Sequence, residues 1–282
     1  MRHSPGNISS PVVGYASFLI LGWVAINMEL KKITAGRRFS VIRCVKYVSI
    51  TAVLVVLSYV LILAFPQFIF SHHLTYGNYE VWSDQPIAPD ISKVLDDATR
   101  RLRTSELYEP DRRNKVFFCN TPWRMFIYSQ RFTDRIGGSA DSWLTENVYI
   151  RSSDIAANRI HSPDAGSILD ADQRPLSYFI AHEITHIMES REFGRLMYIL
   201  HPEWLTEGYA DYIGKGGDFS FEENRKLLAE NSPLLDHTKS GLYRRFHLEV
   251  LFLISKKGMT VKQIFANPPH EGAVLELLKA TP

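Results

Sequence analysis

The chain has 282 residues, 45% of them hydrophobic and 22% charged, so it can bury a sizeable core, and extensive intrinsic disorder is excluded. A formal net charge of +2 is too close to neutral to favour nucleic acid as a partner. This length suits one domain with appended segments.

The N-terminal region has the composition of a membrane anchor. Residues 47–70 are 24 consecutive residues without a charged side chain, enough to cross the hydrocarbon core as a helix. The preceding segment, 31–46, carries six basic residues and no acidic one. The positive-inside rule therefore places this segment in the cytoplasm and everything beyond residue 70 on the other side. We predict an extracytoplasmic domain on a membrane anchor at 1–70, a layout that suits a bacterial inner membrane.

Two interpretations of the first thirty residues remain open. Residues 11–27 form a second apolar run, short for a membrane span and interrupted by Gly14 and Gly22, which would give a two-pass anchor. Alternatively, translation starts at Met28 and leaves a short basic segment before a single span. Both interpretations place the C-terminal two thirds of the chain outside the cytoplasm.

The rest of the chain predicts a linker at 71–89 and then an α+β domain at 90–282. A helix is predicted from Asp90 to about Ser105, and helices dominate after Pro175. Short strands are predicted at 115–119, 124–128 and 147–151. The two cysteines, Cys44 and Cys119, flank the predicted span, so we predict no intrachain disulfide.

The sequence HEITH at residues 182–186 lies in a predicted amphipathic helix. His182 and His186 are four residues apart, so both imidazoles project from one helix face, a geometry that suits two ligands of one tetrahedral zinc ion. Glu183 follows the first histidine and can act on a metal-activated water without binding the metal itself. This pattern predicts a metal site with a catalytic carboxylate beside it.

A third ligand is predicted on the following helix, in PEWLTEGYADYIG. Zinc sites of the catalytic type use three protein ligands and leave one position open. Glu207 can supply the third ligand. Asp211 lies four residues further along the same face and can accept the free ring N–H of a ligating histidine, which would fix its tautomer.

These residues resemble the gluzincin metallopeptidases of the MA-like type, whose pattern is HExxH, a spacer and a glutamate ligand. Trp204, Leu205, Glu207, Gly208, Tyr209 and Ala210 are similar to the M1 aminopeptidase branch, while the Glu207–Asp211 spacing resembles the thermolysin branch. The resemblance covers about residues 140–265. It implies a zincin-like fold, a small sheet with an edge strand plus active-site helices, holding one zinc ion per chain. It also implies His182, His186 and Glu207 as ligands and Glu183 as the catalytic base.

The resemblance also implies groups that bind the substrate. The glycine-alanine-methionine-glutamate-asparagine motif of M1 enzymes is matched only at Glu146 and Asn147. We expect the strand containing Asn147, Val148 and Tyr149 to form the cleft edge and to bind a peptide or protein substrate by β-augmentation. Tyr243 is placed like the tyrosine that stabilises the oxyanion in the M1 branch, and His247 is the competing donor.

The expected function is therefore hydrolysis of peptide bonds by a membrane-anchored zinc peptidase. The alternative is a catalytically silent scaffold that keeps the fold and binds a membrane or envelope partner. Retention of Glu183 favours the enzyme, because a scaffold needs the ligands but has no use for the base.

Overall fold

A computed structural model describes residues 38–161 and 174–281. The chain divides into two compact units, one ending at Ile62 and the other beginning at Leu63. The predicted apolar run at 11–27, the alternative start at Met28 and the first basic residues of segment 31–46 lie outside the described residues.

Helix α1, Arg38–Ala64, contains the predicted membrane segment. Its part from Cys44 to Ala64 is long and apolar enough to cross a membrane, judged by length and composition. The helix ends at Ala64 rather than at Phe70, because Pro66 lacks the N–H that would continue the helical hydrogen bonds. Pro66–Ile69 instead form one 3₁₀ turn.

The second unit is built on a five-stranded mixed sheet with the order β1-β2-β3-β5-β4. The outer pairs β1–β2 and β4–β5 are antiparallel, and the inner pairs β2–β3 and β3–β5 are parallel. A separate two-stranded ribbon pairs β6 with β7. The strands are β1 His72–Tyr76, β2 Tyr79–Ser83, β3 Asn114–Cys119, β4 Gly138–Ala140, β5 Asn147–Arg151, β6 Ser153–Asp154 and β7 Arg159–Ile160.

The described part of this unit also contains helices. They are α2 Ile91–Leu102, α3 Pro122–Tyr128, α4 Leu176–Phe193, α5 Arg195–Leu200, α6 Glu203–Lys215, α7 Phe221–Ala229, α8 His237–Ser240, α9 Arg244–Leu251, α10 Val261–Ala266 and α11 Glu271–Ala280. A 3₁₀ turn at Pro233–Leu235 precedes α8, and a π turn at Phe252–Lys256 follows α9.

Two local predictions differ from the structure. Residues 71–89 are not a linker, because β1 and β2 form a hairpin within them: Gly77 adopts a positive φ of 55° in the turn, and Val81 is buried. Residues 124–128 are not a strand but most of helix α3. Pro122 suits the first turn of a helix, and burial of Met125 and Tyr128 gives the segment a helical rather than an alternating apolar face.

Helix α4 is the centre of the second unit. Every residue from Leu176 to Ser190 is buried, because the helix packs against β4 and β5, against α2 and against α6. Helix α6 in turn packs closely on α9 at Gly208, where an added Cβ would lie 2.6 Å from the backbone oxygen of Phe246. The fold class is therefore α+β with a small mixed sheet. Cys44 and Cys119 are both free thiols, as predicted.

Candidate metal centre

Three side chains predicted as metal ligands meet in the structure. His182 and His186 lie one turn apart on α4, and Glu207 comes from α6. Oε2 of Glu207 lies 3.3 Å from Nε2 of His182 and 3.6 Å from Nε2 of His186, and one ligand atom from each residue lies within 4.8 Å of the others. Ligands about 2.0–2.1 Å from a tetrahedral ion are separated by roughly 3.3 Å. The group could therefore hold a metal ion.

The charge distribution in this group suits a cation. The two histidines are buried at 6% exposure, and the side chain of Glu207 is 12% exposed. Burial alone would raise the pKa of Glu207, but the two histidines hold it well below its usual value. Glu207 is thus a carboxylate at neutral pH, and an ionised carboxylate is the form that binds metal.

His186 is oriented by a buried carboxylate that was not predicted from the sequence. Nδ1 of His186 lies 3.3 Å from Oε2 of Glu189, one turn further along α4. Glu189 is fully buried, and burial raises its pKa to about 7. Donation from Nδ1–H to this oxygen leaves the lone pair of Nε2 directed at Glu207 and the metal position. The i,i+3 spacing after His186 was the sequence signal for this contact.

Asp211 does not contact a ligating histidine directly, contrary to the sequence prediction. The Tyr178 hydroxyl donates to Oδ1 of Asp211, and Nδ1 of His247 lies 2.8 Å from Oδ2. Tyr178 precedes His182 by four residues, so its ring occupies the position between that histidine and Asp211. The Tyr178 hydroxyl oxygen is 3.5 Å from Nδ1 of His182, and the aspartate therefore acts on His182 through the tyrosine.

Glu183 lies against the backbone of β4. An added Cβ on Gly138 would lie 2.7 Å from Cγ and 2.8 Å from Oε1 of Glu183. Glu183 is buried, and burial raises its pKa, although the neighbouring histidines oppose the shift. The Glu183 carboxyl group therefore lies beside the ligand group and against β4, the shortest strand of the sheet.

The prediction that strand 147–151 forms the edge of the sheet is wrong. β5, with Asn147, Val148 and Tyr149, lies inside the sheet, where β3 and β4 pair with its two sides. All three residues are buried and so do not line a cleft. Among the described strands, β4 is the one at this edge of the sheet. The strand was missed because Gly138–Ala140 is short and small, which is typical of a loop.

Two tyrosines and an arginine also lie near the ligand group. Tyr243 stacks on His182, with ring centroids 5.9 Å apart. The ring centroid of Tyr198 is 6.1 Å from that of His186. Burial and the nearby Glu207 raise the pKa of Tyr243, so its hydroxyl stays protonated and able to donate. Arg131 is exposed to solvent, and the charges of Glu207 and Glu183 favour its cationic form. Neither Tyr198 nor Arg131 was predicted from the sequence, because each lies in a segment without a recognisable motif.

His247, the competing donor, is directed elsewhere. Its Nδ1 contacts Asp211, and its ring stacks on Phe219 at 3.6 Å. The residue is buried at 1% exposure, and burial lowers its pKa. Its imidazole therefore belongs to the packing between α6 and α9, whereas the Tyr243 ring stacks on His182.

Comparison with models of known protein families, with curated proteins and with solved structures finds no match to this chain.

Proposed function

We propose that this protein is a membrane-anchored zinc peptidase. The observation that carries the proposal is the convergence of His182, His186 and Glu207 from two helices, with the carboxylate of Glu183 beside them. Two imidazoles and one carboxylate are the ligand set of catalytic zinc sites with one open position. A purely structural zinc site would use a fourth protein ligand instead of leaving room for substrate.

The chemistry that zinc supplies when bound is polarisation of a carbonyl bond and a lowered pKa of water. Glu183 is the group that takes the proton from the attacking water and passes it to the nitrogen of the leaving amine. The Tyr243 hydroxyl donates a hydrogen bond to the carbonyl oxygen as negative charge develops there. Glu189, acting on His186, keeps the ligand in the tautomer that the site requires.

The backbone of β4 supports a peptide substrate. The bonds from Asp141 N–H to Asn147 (2.8 Å) and from Arg151 N–H to Gly137 (3.1 Å) show that alternate residues of this strand bond to β5. The backbone groups of Gly138 and Ala140 therefore point away from the sheet. An extended peptide can pair with them, which would lay its backbone beside Glu183.

The anchor is the apolar part of α1, Cys44–Ala64, which is long enough to cross a bilayer. The basic residues before it and the positive-inside rule support an extracytoplasmic position for the second unit. The peptidase would then act at the membrane, on the outer side.

Metal analysis of the full-length protein in detergent tests the proposal first. We expect about one zinc ion per chain in the wild type, and its loss in Glu207→Ala. Glu203→Ala is the matched control, because Glu203 lies on the same helix and is exposed. A folded wild-type protein that binds no zinc would reject the proposal.

The catalytic part is tested with Glu183→Gln on a peptide library. This variant should retain zinc and lose peptide hydrolysis, because the amide cannot accept the proton. If Glu183→Gln retains the physiological activity of the protein in full, the scaffold alternative is favoured instead.

A further inference from the structure

One end of the sheet carries a group of exposed aromatic rings. Phe65, Phe68, Trp123, Phe126 and Phe132 are 54%, 89%, 48%, 45% and 49% exposed. We call these five residues the aromatic surface. They come from the turn after α1, from α3 and from the loop after α3. Rings exposed to this extent cost hydration free energy unless something covers them.

These rings are connected through Arg124 of α3. Its guanidinium lies 4.4 Å from the Trp123 ring centroid, and the same group donates to the backbone oxygen of Ile69 at 3.1 Å. Helix α3 and the segment that contains Phe68 are therefore fixed to each other. Phe65 and Phe68 are 6.5 Å apart between ring centroids, at one end of the surface.

Helix α3 extends the aromatic surface towards β4. Phe126 lies one turn beyond Trp123, and its ring centroid is 5.7 Å from that of Phe132 in the following loop. Ser129, the first residue after α3, accepts a 3.1 Å hydrogen bond through its backbone oxygen from the side chain of Ser139 on β4. The aromatic surface therefore ends next to the strand that lies against Glu183.

The chain itself indicates what covers the surface. Phe68 follows Ala64, the last residue of α1, by four residues, a reach of at most about 14 Å. If α1 crosses a bilayer, Phe68 cannot be far from the lipid headgroups. The segments 65–70 and 122–132 contain no acidic residue. Exposed aromatic rings without an acidic residue among them match the interfacial zone of a membrane.

We propose that the aromatic surface docks on the lipid bilayer. This inference rests on the membrane anchor in the proposed function. Docking holds β4 and Glu183 close to the membrane surface, since Ser129 and Ser139 join the aromatic surface to that strand. The substrates that fit this placement are membrane-proximal segments of other proteins.

The test uses the full-length protein in lipid vesicles that contain brominated lipids, which quench tryptophan fluorescence only on contact. The chain has five tryptophans, so Trp123 is isolated as the difference between wild type and Trp123→Phe. Trp143→Phe is the matched control. Trp143 is 53% exposed but lies in the β4–β5 connection, at the end of the sheet opposite to Trp123, because Lys115 pairs with Asn147 and Cys119 with Arg151.

We expect the protein to float with the vesicles, the emission of Trp123 to be quenched about two-fold or more, and that of Trp143 to be unaffected. Flotation with Trp123 and Trp143 equally quenched or equally unquenched would overturn the docking surface and leave the anchor standing. Failure to float would overturn both the anchor and the docking. Neither result depends on peptidase activity, so the zinc and hydrolysis measurements remain separate tests.

Discussion

The α-carbon of Gly138 on β4 lies so close to Glu183 on α4 that an added Cβ would be 2.7 Å from Cγ of the glutamate. A contact below 3 Å between such atoms is not tolerated in a packed interior. The Glu183 side chain or the β4 backbone must therefore shift when residue 138 has a side chain.

This contact predicts a selective effect of Gly138→Ala on catalysis. The methyl group should displace the Glu183 carboxylate, and a displacement of about 1 Å can reduce turnover on the order of 100-fold. The metal ligands are on α4 and α6 rather than on β4, so the zinc content should stay near the wild-type value. Peptide hydrolysis and metal analysis of the same preparation check both parts.

Gly272→Ala is the control for this substitution. Gly272 lies on α11, and its added Cβ would meet the His270 side chain at 3.3 Å instead of a cleft residue. Its turnover should equal that of the wild type. Equal turnover of Gly138→Ala and wild type would contradict the assignment of Glu183 as a base held against β4.

Glu189 should tune metal affinity without binding the metal. Glu189→Ala removes the acceptor for Nδ1 of His186 and should weaken zinc binding about 10- to 100-fold. Glu189→Gln keeps a side-chain oxygen and should recover much of that loss. Competition with a zinc chelator measures the affinity. Glu192→Gln, which changes an exposed carboxylate on the same helix, should leave it unchanged.

The two cleft tyrosines can be separated by single hydroxyl deletions. If Tyr243 stabilises the developing oxyanion, Tyr243→Phe should lower kcat on the order of 100-fold and leave KM nearly constant. Tyr198→Phe should have a much smaller effect on kcat, because the Tyr198 ring lies against His186, whereas the Tyr243 ring lies against His182. Undiminished turnover of Tyr243→Phe would rule this residue out as the donor.

Glu249 on α9 should make the stability of the fold depend on pH. Burial, together with the nearby Glu271, raises its pKa to about 8, although Arg245 opposes the shift. The side chain is fully buried, and neither carboxylate oxygen has a hydrogen-bond partner among the described residues. The folded protein therefore retains a proton that the unfolded chain loses above a pKa of about 4.3.

Consequently, the contribution of Glu249 to the free energy of unfolding is fully present below about pH 4, and it is lost as the pH rises to about 8. The free energy of unfolding should fall by up to about 1.4 kcal/mol per pH unit within that window. Glu249→Gln resembles the protonated form and should remove this slope and stabilise the protein at neutral pH. Denaturant unfolding at several pH values measures the difference. A wild type and variant with parallel pH profiles would contradict the prediction.

The three candidate metal ligands were predictable because their positions follow from residue spacing along a helix. His182 and His186 share a face of α4 through their four-residue separation, and Glu207 lies on a helix with its own clear pattern. Strand 147–151 was predicted as a strand for a similar reason, since a short run with β-branched and aromatic residues is typical of a strand, but its position inside the sheet was not predicted.

The contacts that these ligands make with residues from other elements were not predictable in the same way. Asp211 was expected to contact a ligating histidine, but Tyr178 occupies that space, and only the packing of α4 on α6 reveals the competition. Strand β4 has only three small residues without periodicity, and the hairpin at 72–83 lies in a polar and aromatic segment that is typical of a linker.

The apolar helix before residue 65, the α+β character of the rest and the three residues that could hold a metal all follow from the sequence. Each of these depends on the local repeat of a helix or strand or on a run of composition. Which strand forms the sheet edge, which carboxylate orients His186 and which rings lie against the two histidines became visible only in the folded chain. Those relationships join residues far apart in the chain, and the close packing of helices and sheet in three dimensions selects them.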